Sequence, residues 1–325
     1  MNIFITGATG FIGQVFLKAL LQRLGTKDKI YLLSRKAVQH SDSRIVTLLG
    51  SLKTLADFSN TLLEADYVFH LAAESRMAFK ANAEYFYLQN EYPTQLIVNV
   101  LSQSSRLKKI IFLSSIAAVD RIDQDRCIAP LTTSSPMAPQ TLYGQSKQRA
   151  EDIIVKSGQP YVILRPSLVY GCHMRSDSHL NRFTTLVYKN SLISRINFSG
   201  LVALIHVNDL ANALVNTIFS PLALNKTYFA VTENISLRDI FQLLHQKIHK
   251  RGGWMIPWPQ LRFLWCRMHT RFSPLFSMLF IDYYWTKDPT FINELLTNST
   301  PISLQQGIED VIETNALSGR KDRIK

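Results

Sequence analysis

A glycine-rich turn at the start of the chain constrains the fold more than any other feature of this sequence. Asn2–Thr6 form an apolar run of β-preferring residues, and Phe11–Leu24 carry apolar residues at helical spacing. Between these two segments, Gly7, Gly10 and Gly13 recur at three-residue intervals. Glycines allow a tight turn, and they leave the helix's N-terminal N–H groups open to an anion. The segment therefore predicts a strand, a turn and a helix that together bind a pyrophosphate.

Strand and helix patterns alternate through the next 150 residues. Further strands are predicted at Lys29–Leu33, Arg44–Leu49, Asp66–Leu71, Lys109–Leu113 and Tyr161–Leu164, with helices at Leu55–Glu64, Ala83–Ser105 and Thr141–Lys156 and a loop over 120–140. Such alternation is typical of α/β proteins with helices on both faces of a parallel sheet. We therefore predict a doubly wound parallel sheet that starts with the glycine turn.

Composition limits the classes of protein to consider. The chain has 325 residues, is 46% hydrophobic and carries a formal net charge of +12. It has no basic leader before the first strand and no apolar run of about 18 residues, so neither a signal peptide nor a transmembrane helix is predicted. Cys127, Cys172 and Cys266 are widely spaced, which favours reduced thiols in a cytoplasmic protein and no metal site. The charge could attract a nucleic acid, an anionic membrane or an anionic substrate; nucleic acid ranks last because its motifs are absent.

The end of the second strand bears on the choice of cofactor. In dinucleotide-binding folds, an acidic residue at this position binds the ribose 2′-hydroxyl, whereas an arginine accommodates a 2′-phosphate. This chain has Ser34, Arg35 and Lys36 there and no carboxylate. We therefore predict NADP(H) rather than NAD(H), with Arg35 binding the phosphate and Lys36 assisting; the alternative is that both cations only face solvent.

Side chains in the middle of the chain predict acid–base chemistry. Tyr143 and Lys147 are four residues apart on a predicted helix, so their side chains share one face. A nearby ammonium lowers the pKa of a phenol, which makes tyrosine usable as a general acid or base. Ser114 and Ser115 close the fifth strand, where a hydroxyl can hold the oxygen of a substrate.

Several motifs in one order resemble a known family. They are TGATGFIG (Thr6–Gly13), HLAA (His70–Ala73), Asn90 with Thr94, SSIAAV (Ser114–Val119), YGQSK (Tyr143–Lys147), RPSLVYG (Arg165–Gly171) and HVNDLANAL (His206–Leu214). The chain resembles an extended short-chain dehydrogenase/reductase of the NAD-dependent epimerase/dehydratase type. The motifs cover residues 1 to about 215, and ISLQQGIEDVI near the C-terminus is similar to the family's closing helix.

The resemblance implies a Rossmann fold, a smaller C-terminal α/β substrate domain and specific roles. Tyr143 would be the catalytic acid/base, Lys147 would lower its pKa and hold the nicotinamide ribose, and Ser115 would bind the reacting oxygen. Ser115 is preferred over Ser114 because Val119 follows it by four residues, as in the family's reductases. The predicted cofactor site comprises Gly7, Thr9, Gly10, Phe11, Ile12, Gly13, Ser34, Arg35, Lys36, Ser51, Leu52, Leu71, Ala72, Ala73, Asn90, Ser114, Tyr143, Lys147, Pro166 and Leu168. The predicted domains are 1–171, to which 205–219 returns, and 172–204 with 220–325.

Two departures from the family pattern affect the choice of function. Ser51-Leu52 stand where the family commonly has Asp-Leu, and Asp120-Arg121 stand where sugar-nucleotide members commonly have Tyr-Gly. The favoured hypothesis is an NADP(H)-dependent reductase or dehydrogenase that interconverts a carbonyl and a secondary alcohol. The alternative is an NAD-dependent nucleotide-sugar epimerase or dehydratase. A thioester reductase and a non-catalytic nucleotide-binding protein rank lower, the latter because Tyr143 and Lys147 are both present.

The C-terminal third matches the family less well. All four tryptophans lie between Trp254 and Trp285, where arginines alternate with apolar residues. This segment could contact an anionic membrane, cover an apolar substrate or form the core of the substrate domain. The resemblance also implies a homodimer, which is common in the family.

Overall fold

The computed structural model describes residues 1–75, 82–119, 131–132, 135–139, 141–198, 200–250, 252, 254–257, 289–297 and 300–321. Seven strands form one parallel sheet, in the order β3 (Ile45–Leu49), β2 (Lys29–Ser34), β1 (Asn2–Thr6), β4 (Tyr67–His70), β5 (Lys109–Leu113), β6 (Tyr161–Pro166) and β9 (Lys226–Ala230). The sequence of each central strand is a continuous apolar run, as expected for strands covered on both faces. The predicted doubly wound parallel sheet is confirmed.

Helices cover both faces of this sheet. On one face, α1 (Phe11–Leu21) lies beside α7 (Val207–Phe219), and Phe16 and Leu214 are among the buried side chains there. On the other face, α2 (Ser59–Leu63), α4 (Tyr92–Leu101) and α5 (Leu142–Lys156) bury Leu62, Ile97 and Ile154 against the strands. The sheet is thus the middle layer between two apolar layers.

A second, smaller sheet contains β10 (Glu233–Ser236), β8 (Leu201–His206) and β7 (Leu168–Tyr170). β7 is parallel to β8, and β10 is antiparallel to it. Three helices pack around a separate core here: α6 (His179–Tyr188), α8 (Leu237–His249) and α9 (Leu304–Lys321). The predicted smaller C-terminal α/β part is confirmed. The predicted domain boundaries stay a prediction. Two strands belong to the sheet of the other domain: β7, within the predicted 1–171, lies in the small sheet, and β9, within the predicted 220–325, lies in the large one.

The predicted long helix over 83–105 is divided in the structure. A short helix, α3 (Ala83–Phe86), is followed by a π-helical turn at Tyr87–Glu91 and then by α4. Pro93 lies in the first turn of α4, and proline has no N–H to continue an uninterrupted helical ladder. The predicted helix over 55–64 is likewise split into a 3₁₀ segment (Leu52–Phe58) and α2. Helical periodicity in the sequence did not distinguish these tighter and wider turns.

Some predicted features lie outside the described residues: most of the loop over 120–140, Cys127, Cys266, and the tryptophans and arginines of 258–288. Among the helices that are described, none combines the length and the hydropathy needed to cross a bilayer.

Candidate active site

The residues predicted to bind a cofactor meet at one edge of the large sheet. Gly7–Gly13 follow β1, Ser34–Lys36 end and follow β2, and Ser51–Leu52 follow β3. Leu71–Ala73 follow β4, Ser114 follows β5, and Pro166 ends β6. Because the strands are parallel and adjacent, these positions all lie at their carboxyl ends, where open α/β sheets bind ligands. The structure therefore brings together groups that are up to 160 residues apart in the chain.

The glycine turn leaves the start of α1 open. Gly7 has φ of 82°, and a Cβ there would lie 2.6 Å from the Ala72 nitrogen, so a side chain would collide with the segment after β4. Gly10 caps α1 without a side-chain hydrogen bond, and the first turn contains no acidic residue. A helix N-terminus of this kind attracts an anion through its N–H groups and its dipole. The turn thus fits a pyrophosphate.

Directly beneath this turn, His70 on β4 links that strand to β1 and α4. Its Nδ1 is 2.7 Å from the Thr6 hydroxyl, and its Nε2 is 3.2 Å from the Thr94 hydroxyl. The Thr6 hydroxyl also accepts a hydrogen bond from the Ala72 N–H at 3.3 Å. Burial, together with the charge of Lys147, lowers the pKa of His70 to about 3. His70 is therefore a neutral residue of the core that fixes β1 against β4.

Three predicted cofactor residues use their side chains within the protein. The Asn90 amide accepts from the Glu74 N–H at 2.8 Å and donates to the Glu74 carbonyl at 3.0 Å and the Ser146 hydroxyl at 2.9 Å. Ser51 caps the 3₁₀ segment after β3, and the Ser34 hydroxyl donates to the Lys36 carbonyl at 2.8 Å. These contacts shape the edge of the sheet, while the residues' binding roles stay predictions. Arg35 and Lys36 are exposed immediately after β2, on the side open to a ligand.

Two hydroxyls predicted to be catalytic lie near each other. Burial raises the pKa of the Tyr143 phenol, and the Ser115 hydroxyl acts against this effect by lowering it. Thr141 caps α5 by accepting from the Gly144 N–H at 3.0 Å, which sets Tyr143 in the first turn of the helix. A Cβ on Gly144 would lie 2.2 Å from the Ala117 carbonyl oxygen, so only glycine lets α5 approach the serine segment this closely. Gly144 is a positioning residue that sequence reasoning missed, although its place directly after Tyr143 was the available signal.

Lys147 lies on the same face of α5 and is 1% exposed. Its Nζ donates to the Leu113 carbonyl at 2.6 Å and lies 4.1 Å from the centroid of the Phe112 ring. Burial lowers the pKa of Lys147 to about 7, and the Glu151 carboxylate acts in the opposite direction. Desolvation raises the pKa of the half-buried Tyr143 to about 12, and only its hydrogen bond with Ser115 opposes this rise. The Lys147 ammonium faces the Leu113 carbonyl here, and the expected lowering of the Tyr143 pKa by Lys147 stays a prediction.

A buried ion pair lies one helical turn beyond Lys147. Arg165 donates to Glu151 through Nε at 3.0 and 3.1 Å and through Nη2 at 2.6 Å. The Ser114 hydroxyl donates a short hydrogen bond to the same carboxylate. Glu151 is 2% exposed and Arg165 is 5% exposed. Ser114 therefore faces the interior while Ser115 faces Tyr143, which supports the choice of Ser115 as the serine that meets a substrate.

Sequence reasoning missed Glu151 and did not give Arg165 a role. Tyr143, Lys147 and Glu151 follow one another at four-residue intervals, so the position of Glu151 on the helix face was available as a signal. That its partner would be an arginine at the end of β6 depends on how the strand packs on α5. Only the tertiary structure shows this.

The smaller part of the protein is joined to this edge through β7 and α7. Phe11 and Leu168, both predicted to contact the cofactor, pack against the core of the small sheet. The imidazole of His206 caps α7 and lies 3.0 Å from the Asp310 carboxylate. Asp209 accepts from the Ile302 N–H at 2.8 Å. His206 and Asp209 therefore hold α9 and the segment before it.

Comparisons with known proteins agree with this architecture. A sequence profile of the NAD-dependent epimerase/dehydratase family matches residues 3–226. A UDP-glucose 4-epimerase of Vibrio cholerae is 27% identical, over 96% of this chain and 94% of that protein. A GDP-6-deoxy-D-talose 4-dehydrogenase of Aggregatibacter actinomycetemcomitans is 24% identical, over 92% of this chain and 98% of that protein.

Among solved structures, UDP-glucuronic acid 4-epimerase of Bacillus cereus, in complex with UDP-glucuronic acid and NAD, has the same fold. Its TM-score is 0.75 at 19% identity, over 98% of this chain and 100% of that chain. The profile covers more than half of the chain, including the segments that line the edge of the sheet. The chain therefore belongs to the NAD-dependent epimerase/dehydratase family, a group of enzymes among the extended short-chain dehydrogenases/reductases.

Proposed function

We propose that this protein oxidises a secondary alcohol on the sugar of a nucleotide sugar and acts as an epimerase or dehydratase. The observation that supports this most is that two relatives matched over more than nine-tenths of both chains are named for nucleotide sugars. The Ser115–Tyr143 hydroxyl pair and Lys147 supply the side chains that such a reaction needs. This proposal reverses the order of the two hypotheses drawn from the sequence.

Each side chain has a role in the proposed reaction. A nicotinamide cofactor, with its pyrophosphate held at the glycine turn, would supply the hydride acceptor for the carbon that carries the alcohol. Tyr143 accepts the proton of that alcohol through its phenolic oxygen, and Ser115 orients the alcohol by a hydrogen bond. Lys147, when it turns from the Leu113 carbonyl toward the phenol, stabilises the phenolate by its charge. For an epimerisation, the hydride would be restored to the opposite face of the same carbon, and Tyr143 would return the proton to the same oxygen.

One observation favours a second candidate, an NADP(H)-dependent reductase that exchanges its cofactor on every turnover. Arg35 and Lys36 are exposed after β2, and no carboxylate stands at the end of that strand. An arginine there can pair with a 2′-phosphate, which NADP carries and NAD lacks. In this candidate Tyr143 donates a proton to a carbonyl oxygen while the carbon receives a hydride.

One set of measurements separates the two candidates. The purified protein is checked for retained NAD, titrated with NADH and NADPH, and incubated with UDP-glucose and dTDP-glucose. Retained NAD together with a changed sugar product that Tyr143→Phe abolishes would support the first candidate. A preference for NADPH that Arg35→Ala removes and the matched surface change Lys27→Ala leaves intact would support the second. If neither sugar reacts and neither cofactor binds, both candidates are wrong.

Homodimer formation, cytoplasmic location and membrane contact through 254–285 stay predictions; most of that segment lies outside the described residues. The homodimer is tested by sedimentation of the purified protein.

A further inference from the structure

A short turn in the smaller part of the protein reverses the usual pattern of burial. After α6, a 3₁₀ turn at Leu192–Arg195 buries Ser194 completely, while Leu192 is 66% exposed and Ile193 is 48% exposed. The Ser194 hydroxyl lies 3.0 Å from Nε2 of His245 on α8, so the turn is fixed to that helix. The polar side chain thus faces the interior, and the two large apolar side chains face outward.

Neighbouring segments enlarge this apolar surface. The Ile256 N–H donates to the Arg195 carbonyl at 2.7 Å, which holds 254–256 alongside the turn. Trp254 is 64% exposed, and the Arg195 guanidinium lies 5.5 Å from the centroid of its indole ring. Tyr188, at the end of α6, is 44% exposed. We name this surface the apolar–basic face; it comprises Tyr188, Leu192, Ile193 and Trp254, with Lys189, Arg195 and Lys250 beside them.

The charge of this face has one sign. No aspartate or glutamate occurs between Asp177 and Asp209, or between Asp239 and Asp282. The structure joins these two acid-free stretches, because His249 at the end of α8 lies 3.0 Å from the Val187 carbonyl of α6. Within the described residues, Glu309 of α9 pairs with Lys247 at 2.7 Å, a turn before Lys250. The face is therefore cationic as well as apolar.

We propose that the apolar–basic face docks this protein on an anionic lipid bilayer. Exposed leucine, isoleucine and tryptophan beside cations are the combination that interfacial segments use, with apolar groups among the acyl chains and cations at the headgroups. The indole and phenol rings suit the headgroup level, since each has an apolar body and a polar atom. A second copy of the chain would oppose these cations with its own. The proposal does not depend on the catalytic function.

The proposal is tested by sedimentation of the full-length protein with vesicles of phosphatidylcholine, with and without phosphatidylglycerol. We expect binding to the anionic vesicles only, weakening as salt is added. Leu192→Ser combined with Ile193→Ser should weaken binding about tenfold, since it removes the inserting side chains. Lys189→Gln combined with Lys250→Gln should weaken it about thirtyfold, because each cation near an anionic surface contributes about a fivefold gain.

Matched controls lie on the other part of the protein. Leu222 and Leu224 are 62% and 48% exposed, so Leu222→Ser with Leu224→Ser makes an equivalent change of hydrophobicity elsewhere. Lys18→Gln with Lys27→Gln removes two exposed charges from the region of α1. Both controls should bind like the unmodified protein. The proposal is overturned if the unmodified protein does not bind anionic vesicles, or if the face and control variants bind these vesicles equally. It is also overturned if the face variants change only the self-association of the protein.

Discussion

Two parts of this protein depart from the rule that charges lie outside and apolar groups inside, and they do so in opposite directions. Beneath α5, Glu151 and Arg165 are charged and buried. On the apolar–basic face, Leu192 and Trp254 are apolar and about two-thirds exposed. The buried charges pair with each other through three hydrogen bonds, whereas the exposed apolar groups have no such partners within the described part of the chain. The buried charges are thus paired inside the fold, and the exposed apolar groups are best explained by contact with the bilayer surface proposed above.

The largest effect of a substitution is expected in the interior, at the residue that would meet the substrate. Tyr143→Phe removes the proton acceptor but keeps the ring, so we expect kcat to fall by about 10²–10⁴-fold with little change in stability. The measurement is steady-state turnover on the substrate found by the screen above. Tyr161→Phe, at the start of β6 and away from the site, is the control. Retention of full activity by Tyr143→Phe would remove the tyrosine from the mechanism.

The next largest effect should come from breaking the buried pair. Glu151→Leu or Arg165→Met alone leaves an uncompensated buried charge, and we expect each to lower the free energy of unfolding by about 3–5 kcal/mol. The double variant should be more stable than either single variant, because no charge remains unpaired. Urea unfolding measures all three. The exposed pair Lys226–Glu294, at 3.2 Å, provides the control, since Glu294→Gln should cost less than about 1 kcal/mol. Additive losses in the double variant would contradict this account.

The buried His70 makes the stability of the folded protein depend on pH. Its pKa falls from 6.5 when unfolded to about 3 when folded, so the unfolded chain binds the proton more tightly. Stability from this residue is complete above pH 6.5 and is lost as the pH falls toward 3; at pH 5 the loss is about 2 kcal/mol. His70→Gln should unfold with a weaker dependence on pH between 6.5 and 4. Parallel curves for the two proteins would show that His70 does not titrate in this way.

The smallest effect on stability is expected on the apolar–basic face itself. Leu192→Ser with Ile193→Ser should change the free energy of unfolding by no more than about 0.5 kcal/mol per residue, since both side chains are largely in water. Urea unfolding in the absence of vesicles is the measurement, with the buried change Leu244→Ser as the contrast. A loss of several kcal/mol would mean that these residues pack within the folded protein, and the contrast between the two regions would fail.

The sequence by itself determined those elements whose local residue pattern allows a single structure. Apolar runs of three or four residues specified the central strands, and Gly7 specified the turn because only glycine adopts its backbone angle without strain. The four-residue spacing of Tyr143 and Lys147 placed both on one helix face. These features depend on near neighbours in the chain, so they could be predicted without coordinates.

The tertiary structure decided what depends on contacts between distant segments. Only the family resemblance distinguished Ser115 from Ser114 in the sequence; in the structure, packing against Glu151 turned Ser114 inward and left Ser115 beside Tyr143. The direction of the Lys147 ammonium depended on the Leu113 carbonyl of a neighbouring strand. Likewise, two acid-free stretches separated by about thirty residues became one cationic face only because α8 packs on α6. Such outcomes depend on which groups are buried and on which distant residues they then contact. Neither can be read from the neighbouring residues in the chain.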